Sequence, residues 1–288
     1  MVILRLPVVE PFDWPLALRM IGAHAVPGGE RLDPQTAAYV RVLNGIFGPL
    51  AVTIRARPGH LSVCLDGDLV TDEDAAAVIA RVRHWLDLDL DPAQPLARFA
   101  ADPTLGPLVQ ERPGLRRVRY PASFEAVVTT VLGQQVSLAA ARTFAGRLVA
   151  AYGPAAPRGL RAFPRPERLV SASAPELQNA IGITGARSRT LLAVAKLFAE
   201  TGDWPIPLPE AEWDDRAAQL LAVPGIGPWT VNYLRMRLFG DPDAMPIGDL
   251  VLRRALGLTK DRDVPAAMEP WRPDRAYATF QLWASQGW

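Results

Sequence analysis

The chain has 288 residues, of which 49% are hydrophobic, and a formal net charge of +1 at pH 7. This composition suffices for two or three domain cores and excludes a disordered chain. The balanced charge excludes a uniformly basic surface, so any nucleic-acid contact depends on local clusters. Cys64 is the only cysteine, and the three histidines lie in the first third without ligand spacing. We therefore expect no disulfide, iron–sulfur cluster or zinc site.

Residues 1–90 combine strand and helix patterns and predict a small α+β domain. A helix is expected from Trp14 to Ile21, with Asp13 as its N-cap, and another after Thr71. Partly alternating apolar runs predict strands of a half-buried antiparallel sheet. The partly alternating runs are residues 39–43 and 50–54, and two further strand-like runs are residues 3–9 and 60–65. We identify no catalytic cluster in this part.

Residues 91–288 show helical periods and no convincing strand. The predicted fold class is therefore α+β, with a small N-terminal antiparallel sheet domain followed by an all-α core. The N-terminus does not match a signal peptide, and no apolar run is long enough to cross a bilayer. We expect a cytoplasmic protein with no membrane contact.

Basic residues concentrate in two short segments of the helical part. Each cluster alone is explained by a solvated surface, and together they would suit the two flanks of one DNA-binding face. The first comprises Arg112, Arg116, Arg117 and Arg119, and the second Arg253, Arg254, Lys260 and Arg262.

The segment from Leu220 to Tyr233 predicts helix, glycine hairpin, helix. Gly225 and Gly227 suit a tight turn with positive φ, and Pro228 suits the first position of the next helix. Free amides at that helix start can bind a phosphate. The same pattern is also common in ordinary interhelical turns.

A second break lies between two helices at residues 133–137. Gly133 interrupts the first helix, and Gln134 and Gln135 follow before Ser137 begins the next. Two adjacent amides at a loop tip suit DNA contact, although an ordinary interhelical corner also explains them.

Asp249 stands twenty residues beyond Trp229, at the start of a further helix. A glycine hairpin followed at this spacing by a lone acid resembles the helix-hairpin-helix DNA glycosylases, specifically the 3-methyladenine DNA glycosylase II (AlkA-like) family. The loop at residues 133–137, the opening at 11–14 and the C-terminal phrase 282–288 also resemble that family, so the resemblance covers nearly the whole chain.

The resemblance implies two helical subdomains with a cleft between them and the hairpin unit at about residues 212–239. It also implies hydrolysis of the N-glycosidic bond of alkylated bases, such as 3-methyladenine and 7-methylguanine, in duplex DNA. The base is flipped out of the duplex, and an abasic site remains. Double-stranded DNA with damaged bases is then the partner, and we expect a monomer.

The resemblance also suggests residue roles. Asp249 is the expected catalytic carboxylate, and an N-cap is its simpler alternative. Trp229, Tyr233 and Trp283 are expected to bind a cationic base through their electron-rich faces, whereas core packing is the ordinary role of such aromatics. Bifunctional relatives carry a lysine where this chain has Trp229, so we expect no strand cleavage.

Further residues are expected to contact the DNA. Gln135 takes the place of the side chain that fills the gap left by the flipped base, although apolar residues such as leucine also occur there. The other expected contacts are Gln134, Ser137, Gly225, Gly227 and Thr230.

No cofactor is expected to be required. The resemblance alone implies a structural monovalent cation on the backbone carbonyls of Leu221, Val223 and Ile226. Two other functions stay open: a non-catalytic helix-hairpin-helix DNA-binding protein, and a glycosylase for deaminated or oxidised bases.

Overall fold

A computed structural model describes residues 1–287, and Trp288, the last residue of the C-terminal phrase, lies outside the described part. The first part contains five strands and two long helices. In chain order these are β1 (Val2–Pro7), α1 (Trp14–His24), β2 (Glu30–Asp33), β3 (Ala38–Asn44), β4 (Pro49–Arg57), β5 (His60–Asp66) and α2 (Asp72–Trp85).

The strands form one antiparallel sheet in the order β1-β5-β4-β3-β2. The predicted strands and both helices are confirmed, and the predicted N-cap, Asp13, accepts from the amide of Leu16 at 2.8 Å. The sequence did not predict β2, because its four residues, ERLD, are mostly polar and show no apolar pattern.

The middle of the sheet is covered on both faces, which differs from the half-buried sheet expected from alternation. Val52 and Ile54 of β4 pack into the core formed with the helices, whereas Ala51 packs against Leu160 and Ala162 from a later loop. Continuous apolar strands are typical of sheets covered on both sides.

The second part is helical throughout, which confirms the predicted fold class. Its helices are α3 (Ala93–Phe99), α4 (Leu105–Glu111), α5 (Ser123–Gly133), α6 (Leu138–Tyr152), α7 (Pro166–Val170), α8 (Ala174–Ile181), α9 (Gly185–Thr201), α10 (Trp213–Leu221), α11 (Pro228–Leu234), α12 (Leu250–Ala255), α13 (Val264–Met268) and α14 (Arg275–Ser285). A π-helical segment, Arg235–Phe239, continues α11. No helix within residues 1–287 combines the length and apolar character needed to cross a membrane.

Two large hydrophobic cores meet at α11. The first joins the sheet and α2 to α14, through residues such as Val63, Trp85 and Phe280. The second lies among helices α5 to α11. Tyr233 belongs to the first core and its neighbour Leu234 to the second. The helix that leaves the hairpin therefore lies at the junction of the two cores.

Most of the first arginine cluster, at residues 112–119, is buried and paired inside the protein. This corrects both earlier interpretations, a solvated surface and a flank of a DNA-binding face. Arg116 is 2% exposed and donates to the carbonyl of Val9 at 2.6 Å. Arg117 and Arg119 pair with the buried Asp87 at 2.7 and 2.9 Å. These side chains hold the segment before α5 against the N-terminal part. They are neither solvated surface nor available to a DNA backbone.

Candidate active site

The hairpin between α10 and α11 needs a glycine at position 225. Its φ is +94°, a conformation that other residues rarely adopt. A Cβ at this position would lie 2.2 Å from Oγ1 of Thr190 on α9. The same hydroxyl donates to the carbonyl of Pro224 at 2.9 Å. Gly225 therefore lets the hairpin pack directly on α9.

Gly227 differs from the expectation of positive φ. Its backbone is extended, with φ −114° and ψ 177°, and a Cβ there would meet no described atom within 4 Å. Nothing inside residues 1–287 demands a glycine here, so the open space faces outward. Pro228 occupies the first turn of α11, as predicted.

The carbonyls expected to hold a monovalent cation belong to the last residue of α10 and to the hairpin that follows it. Val223 O accepts from the amide of Ile226 at 3.0 Å. Within residues 1–287, the carbonyls of Leu221 and Ile226 accept no backbone hydrogen bond of the turn, loop or cap type. The donor set of neutral oxygens fits a hard cation such as sodium or potassium.

The three aromatic residues predicted for the base pocket lie in a row. The rings of Trp229 and Tyr233 are stacked, with centroids 5.3 Å apart, and Tyr233 lies 6.1 Å from Trp283. All three line a cavity of about 250 Å³. Tyr233 and Trp283 are also almost fully buried. They are therefore core residues and cavity walls at once.

Asp249 lies at the same cavity and caps α12. Its Oδ1 accepts from the amide of Leu252 at 2.7 Å and from the indole Nε1 of Trp283 at 3.0 Å. Among residues 1–287, no group donates to the second oxygen, Oδ2. Helix start and indole together fix the carboxylate, so its role as an N-cap does not compete with a role in the cavity.

The cavity also has walls that the sequence did not indicate. His24, at the end of α1, and Tyr120, before α5, line it, together with Arg142 of α6. Desolvation, followed by the charges of Arg237 and Arg142, lowers the pKa of His24 to about 3, so the imidazole is neutral at pH 7. No catalytic cluster is predicted in the N-terminal part, yet His24 from this part lines the cavity. No sequence motif around His24 indicates this position.

Arg237 lies behind the aromatic row. It is 2% exposed, and its Nη1 donates to the hydroxyl of Tyr233 at 3.1 Å. The guanidinium also lies 5.1 Å from the ring centroid of Tyr120 and 5.6 Å from that of Phe280. These contacts fix the orientation of the phenol, and burial raises the pKa of Tyr233 well above its usual range.

The loop at residues 133–137, here called the glutamine loop, places the side chains of its two glutamines in different surroundings. Gln135 is exposed and has φ +54°, in the left-handed region, which costs on the order of 1 kcal/mol for a residue other than glycine. Gln134 turns inward, and its Nε2 donates to the carbonyl of Gly225 and to Oγ1 of Thr230, both at 3.0 Å. Ser137 caps α6 by accepting from the amide of Ala140 at 3.2 Å.

Residues 3–124 match the model of the AlkA N-terminal domain, and residues 128–265 match that of the HhH-GPD superfamily base excision DNA repair proteins. The chain is 30% identical over 282 residues to DNA-3-methyladenine glycosylase 2 of Escherichia coli K12, covering 96% of this chain and 95% of that protein. The chain belongs to the AlkA-like branch of the HhH-GPD superfamily.

Two further relatives define the extent of the similarity. The chain is 40% identical, over 98% of its length, to the probable bifunctional transcriptional activator/DNA repair enzyme AlkA of Mycobacterium tuberculosis H37Rv, but it spans only 56% of that protein. The 3-methyladenine DNA glycosylase of Archaeoglobus fulgidus superposes with a TM-score of 0.81 over 97% of each chain, at 19% identity. The latter similarity supports the fold alone.

Both parts of this AlkA-like chain contribute to the cavity. His24 and Tyr120 come from the segment that matches the AlkA N-terminal domain, whereas Trp229 and Asp249 come from the HhH-GPD segment. The N-terminal part therefore supplies one wall of the cavity in addition to its own sheet.

Proposed function

We propose that the protein is a monofunctional DNA glycosylase that hydrolyses the N-glycosidic bond of alkylated bases in duplex DNA. The observation that carries the proposal is the position of Asp249, whose carboxylate is fixed by Leu252 and Trp283 in the lining of an aromatic cavity. Bond cleavage develops positive charge on the deoxyribose, and a preorganised carboxylate stabilises that charge. The other oxygen, Oδ2, to which no group within residues 1–287 donates, is the one proposed to face the sugar or the attacking water.

The substrate class follows from the cavity walls. A base alkylated at a ring nitrogen carries positive charge, and the faces of Trp229 and Tyr233 attract a cation by roughly 0.5–2 kcal/mol per contact. The neutral imidazole of His24 adds no repulsion. A cationic base is also the better leaving group, so moderate selectivity in binding suffices.

DNA engagement is proposed to involve the hairpin and the glutamine loop. The amides around Gly227 at the start of α11 are suited to a phosphate, and the exposed Gln135 is suited to fill the gap left by a flipped base. A monovalent cation on the carbonyls of Leu221, Val223 and Ile226 would strengthen the positive potential of the hairpin. Arg254 and Lys260, which follow Asp249 in the chain, are exposed and are suited to further phosphate contacts.

The absence of lyase activity is proposed from the position of the lysines. Cleavage through a Schiff base needs an amine at the sugar, and the residue at the cavity is Trp229. Lys196 lies on α9 and Lys260 beyond α12, both exposed and outside the cavity lining. Borohydride should therefore trap no covalent complex, and an intact abasic strand should accumulate until alkali cleaves it.

A panel of duplexes tests the substrate class. Duplexes with 7-methylguanine, hypoxanthine, uracil or 8-oxoguanine are incubated with the protein, and the released bases are quantified. We expect the methylated purine to be released fastest. Faster release of uracil, hypoxanthine or 8-oxoguanine would instead assign the enzyme to deaminated or oxidised bases. Binding of all four duplexes without release of any base would support a non-catalytic DNA-binding protein.

A further inference from the structure

Gln134 links two loops that are distant in sequence. Its amide nitrogen donates to the carbonyl of Gly225 and to Oγ1 of Thr230, both at 3.0 Å, and these partners lie 91 and 96 residues further along the chain. One partner is in the turn of the hairpin and the other is in the first turn of α11. A single side chain therefore fixes the glutamine loop against both the turn of the hairpin and the helix that leaves it.

The backbone of Gln134 is held by a separate hydrogen bond. Arg187, near the start of α9, donates through Nη2 to the carbonyl of Gln134 at 2.5 Å. Its guanidinium also lies 5.9 Å from the ring centroid of Phe144 on α6. The residue that follows, Gln135, has φ +54° and an exposed side chain. The unusual backbone of the exposed glutamine thus begins at a residue anchored at both its carbonyl and its side chain.

We propose that Gln134 is a positioning residue, which sets the distance between the intercalating Gln135 and the phosphate-binding hairpin. This inference rests on the proposed function, because both features must engage one DNA molecule. A phosphate held at the hairpin fixes where the backbone lies, and an intercalating side chain fills the stack only if its loop lies at a matching distance. The two hydrogen bonds of Gln134 are the direct connection between these points.

The chemistry of the link is specific to glutamine. Both partners accept, so the link needs two N–H donors on one terminal atom, which an amide provides. Glutamate of the same length has no donor when ionised, asparagine is one methylene shorter, and methionine preserves length without donors. Gln134 thus acts on the protein geometry rather than on the DNA, which differs from the contact expected from its place beside Gln135.

The test compares base release from two duplexes. In one the damaged base must first break its base pair, and in the other it has no partner base. Single-turnover release of 7-methylguanine is measured from a duplex with cytosine opposite the lesion and from one with an abasic analogue opposite it. A base without a partner leaves the stack at lower cost, so its release depends less on an aligned wedge. We expect Gln134→Met to slow release from the paired duplex about tenfold, and from the unpaired duplex less than twofold.

Thr230 tests the same hydrogen bond from its other end. Thr230→Val removes the acceptor with little change in shape and should reproduce the split between the two duplexes. Thr230→Ser retains the hydroxyl and should restore most of the lost rate. Gln94→Met makes the same chemical change at an exposed position of α3 and should leave both rates unchanged.

Several outcomes would overturn the inference. Equal slowing on both duplexes by Gln134→Met and Thr230→Val would show a general structural or catalytic role, and unchanged rates would show that the link does not matter. If Gln134→Met does not fold, the comparison of Thr230→Val with Thr230→Ser decides whether the hydrogen bond matters. A wild-type protein that releases no base from either duplex contradicts the proposed function itself. Equal slowing of release from both duplexes by the variants contradicts only the role of Gln134.

Discussion

The indole of Trp283 donates a hydrogen bond from Nε1 to Oδ1 of Asp249 over 3.0 Å. This contact connects α14 to the N-cap residue of α12. The same oxygen accepts from the amide of Leu252, so the orientation of the carboxylate depends on two donors from different parts of the chain. The last helix thereby contributes to the site through orientation as well as through an aromatic wall.

Removal of the indole donor should slow base release without a loss of DNA affinity. Trp283→Phe retains an aromatic ring but not the N–H, and the loss of a hydrogen bond to a charged group corresponds to roughly 1.5 kcal/mol, or about tenfold in rate. Single-turnover release and duplex binding are measured side by side. Equal losses in both would indicate a disturbed pocket instead of a misoriented carboxylate.

The two hairpin glycines should respond differently to alanine. Gly225→Ala places a methyl group 2.2 Å from Thr190 Oγ1 at φ +94°, and we expect a loss of about 2 kcal/mol or more in the free energy of unfolding. Gly227→Ala meets open space, so its unfolding should be unchanged while affinity for duplex DNA falls. Urea denaturation and DNA titration measure the two effects. A large loss of stability in Gly227→Ala would contradict the assignment of that space to DNA.

The first arginine cluster should affect stability and not DNA binding. Burial raises the pKa of Asp87, but the charges of Arg117 and Arg119 outweigh burial and hold it well below its usual range. Asp87→Asn leaves two largely buried guanidinium groups without their counter-charge, so we expect a loss of about 3 kcal/mol in the free energy of unfolding. The slope of DNA affinity against salt should stay unchanged.

The exposed Arg254 provides the matched comparison for Asp87. Arg254→Gln should leave stability within about 0.5 kcal/mol of wild type and reduce the salt slope by about one, as for one lost phosphate contact. If Arg254→Gln instead lowered the free energy of unfolding and left the salt slope unchanged, Arg254 would not belong to the DNA-binding surface.

The partly buried imidazole of His24 should make stability depend on pH. Its pKa is lowered to about 3 in the folded protein, whereas an unfolded histidine titrates near pH 6.5. Between these values the unfolded state binds the additional proton, so the contribution of His24 is present above pH 6.5 and is lost as the pH falls towards 3. Relative to His24→Gln, the wild type should lose about 1–2 kcal/mol of unfolding free energy between pH 7 and pH 5. An equal pH response of the two proteins would contradict this.

The features that could be predicted from the sequence are those with a local signal. Helix caps, apolar periods and the Pro-Gly-x-Gly turn predicted α1, α2, the hairpin and α11. Asp249 and the aromatic row were found through spacing and family resemblance. His24, Arg237 and the link from Gln134 to Thr230 were not predicted, because each depends on contacts between residues far apart in the chain. The burial of the first arginine cluster was also missed, since its partner Asp87 lies 30 residues before Arg117.

Asp249→Asn shows whether base release depends on the negative charge of this carboxylate. Asparagine retains an oxygen that accepts from Leu252 and Trp283 and is itself a good N-cap, so the substitution removes the charge and leaves the fold in place. Single-turnover release of 7-methylguanine from duplex DNA is measured together with duplex affinity and thermal unfolding. The proposed function predicts a loss of release of at least about a hundredfold, with affinity and unfolding close to wild type. Release at the wild-type rate by a folded, DNA-binding Asp249→Asn protein would contradict it.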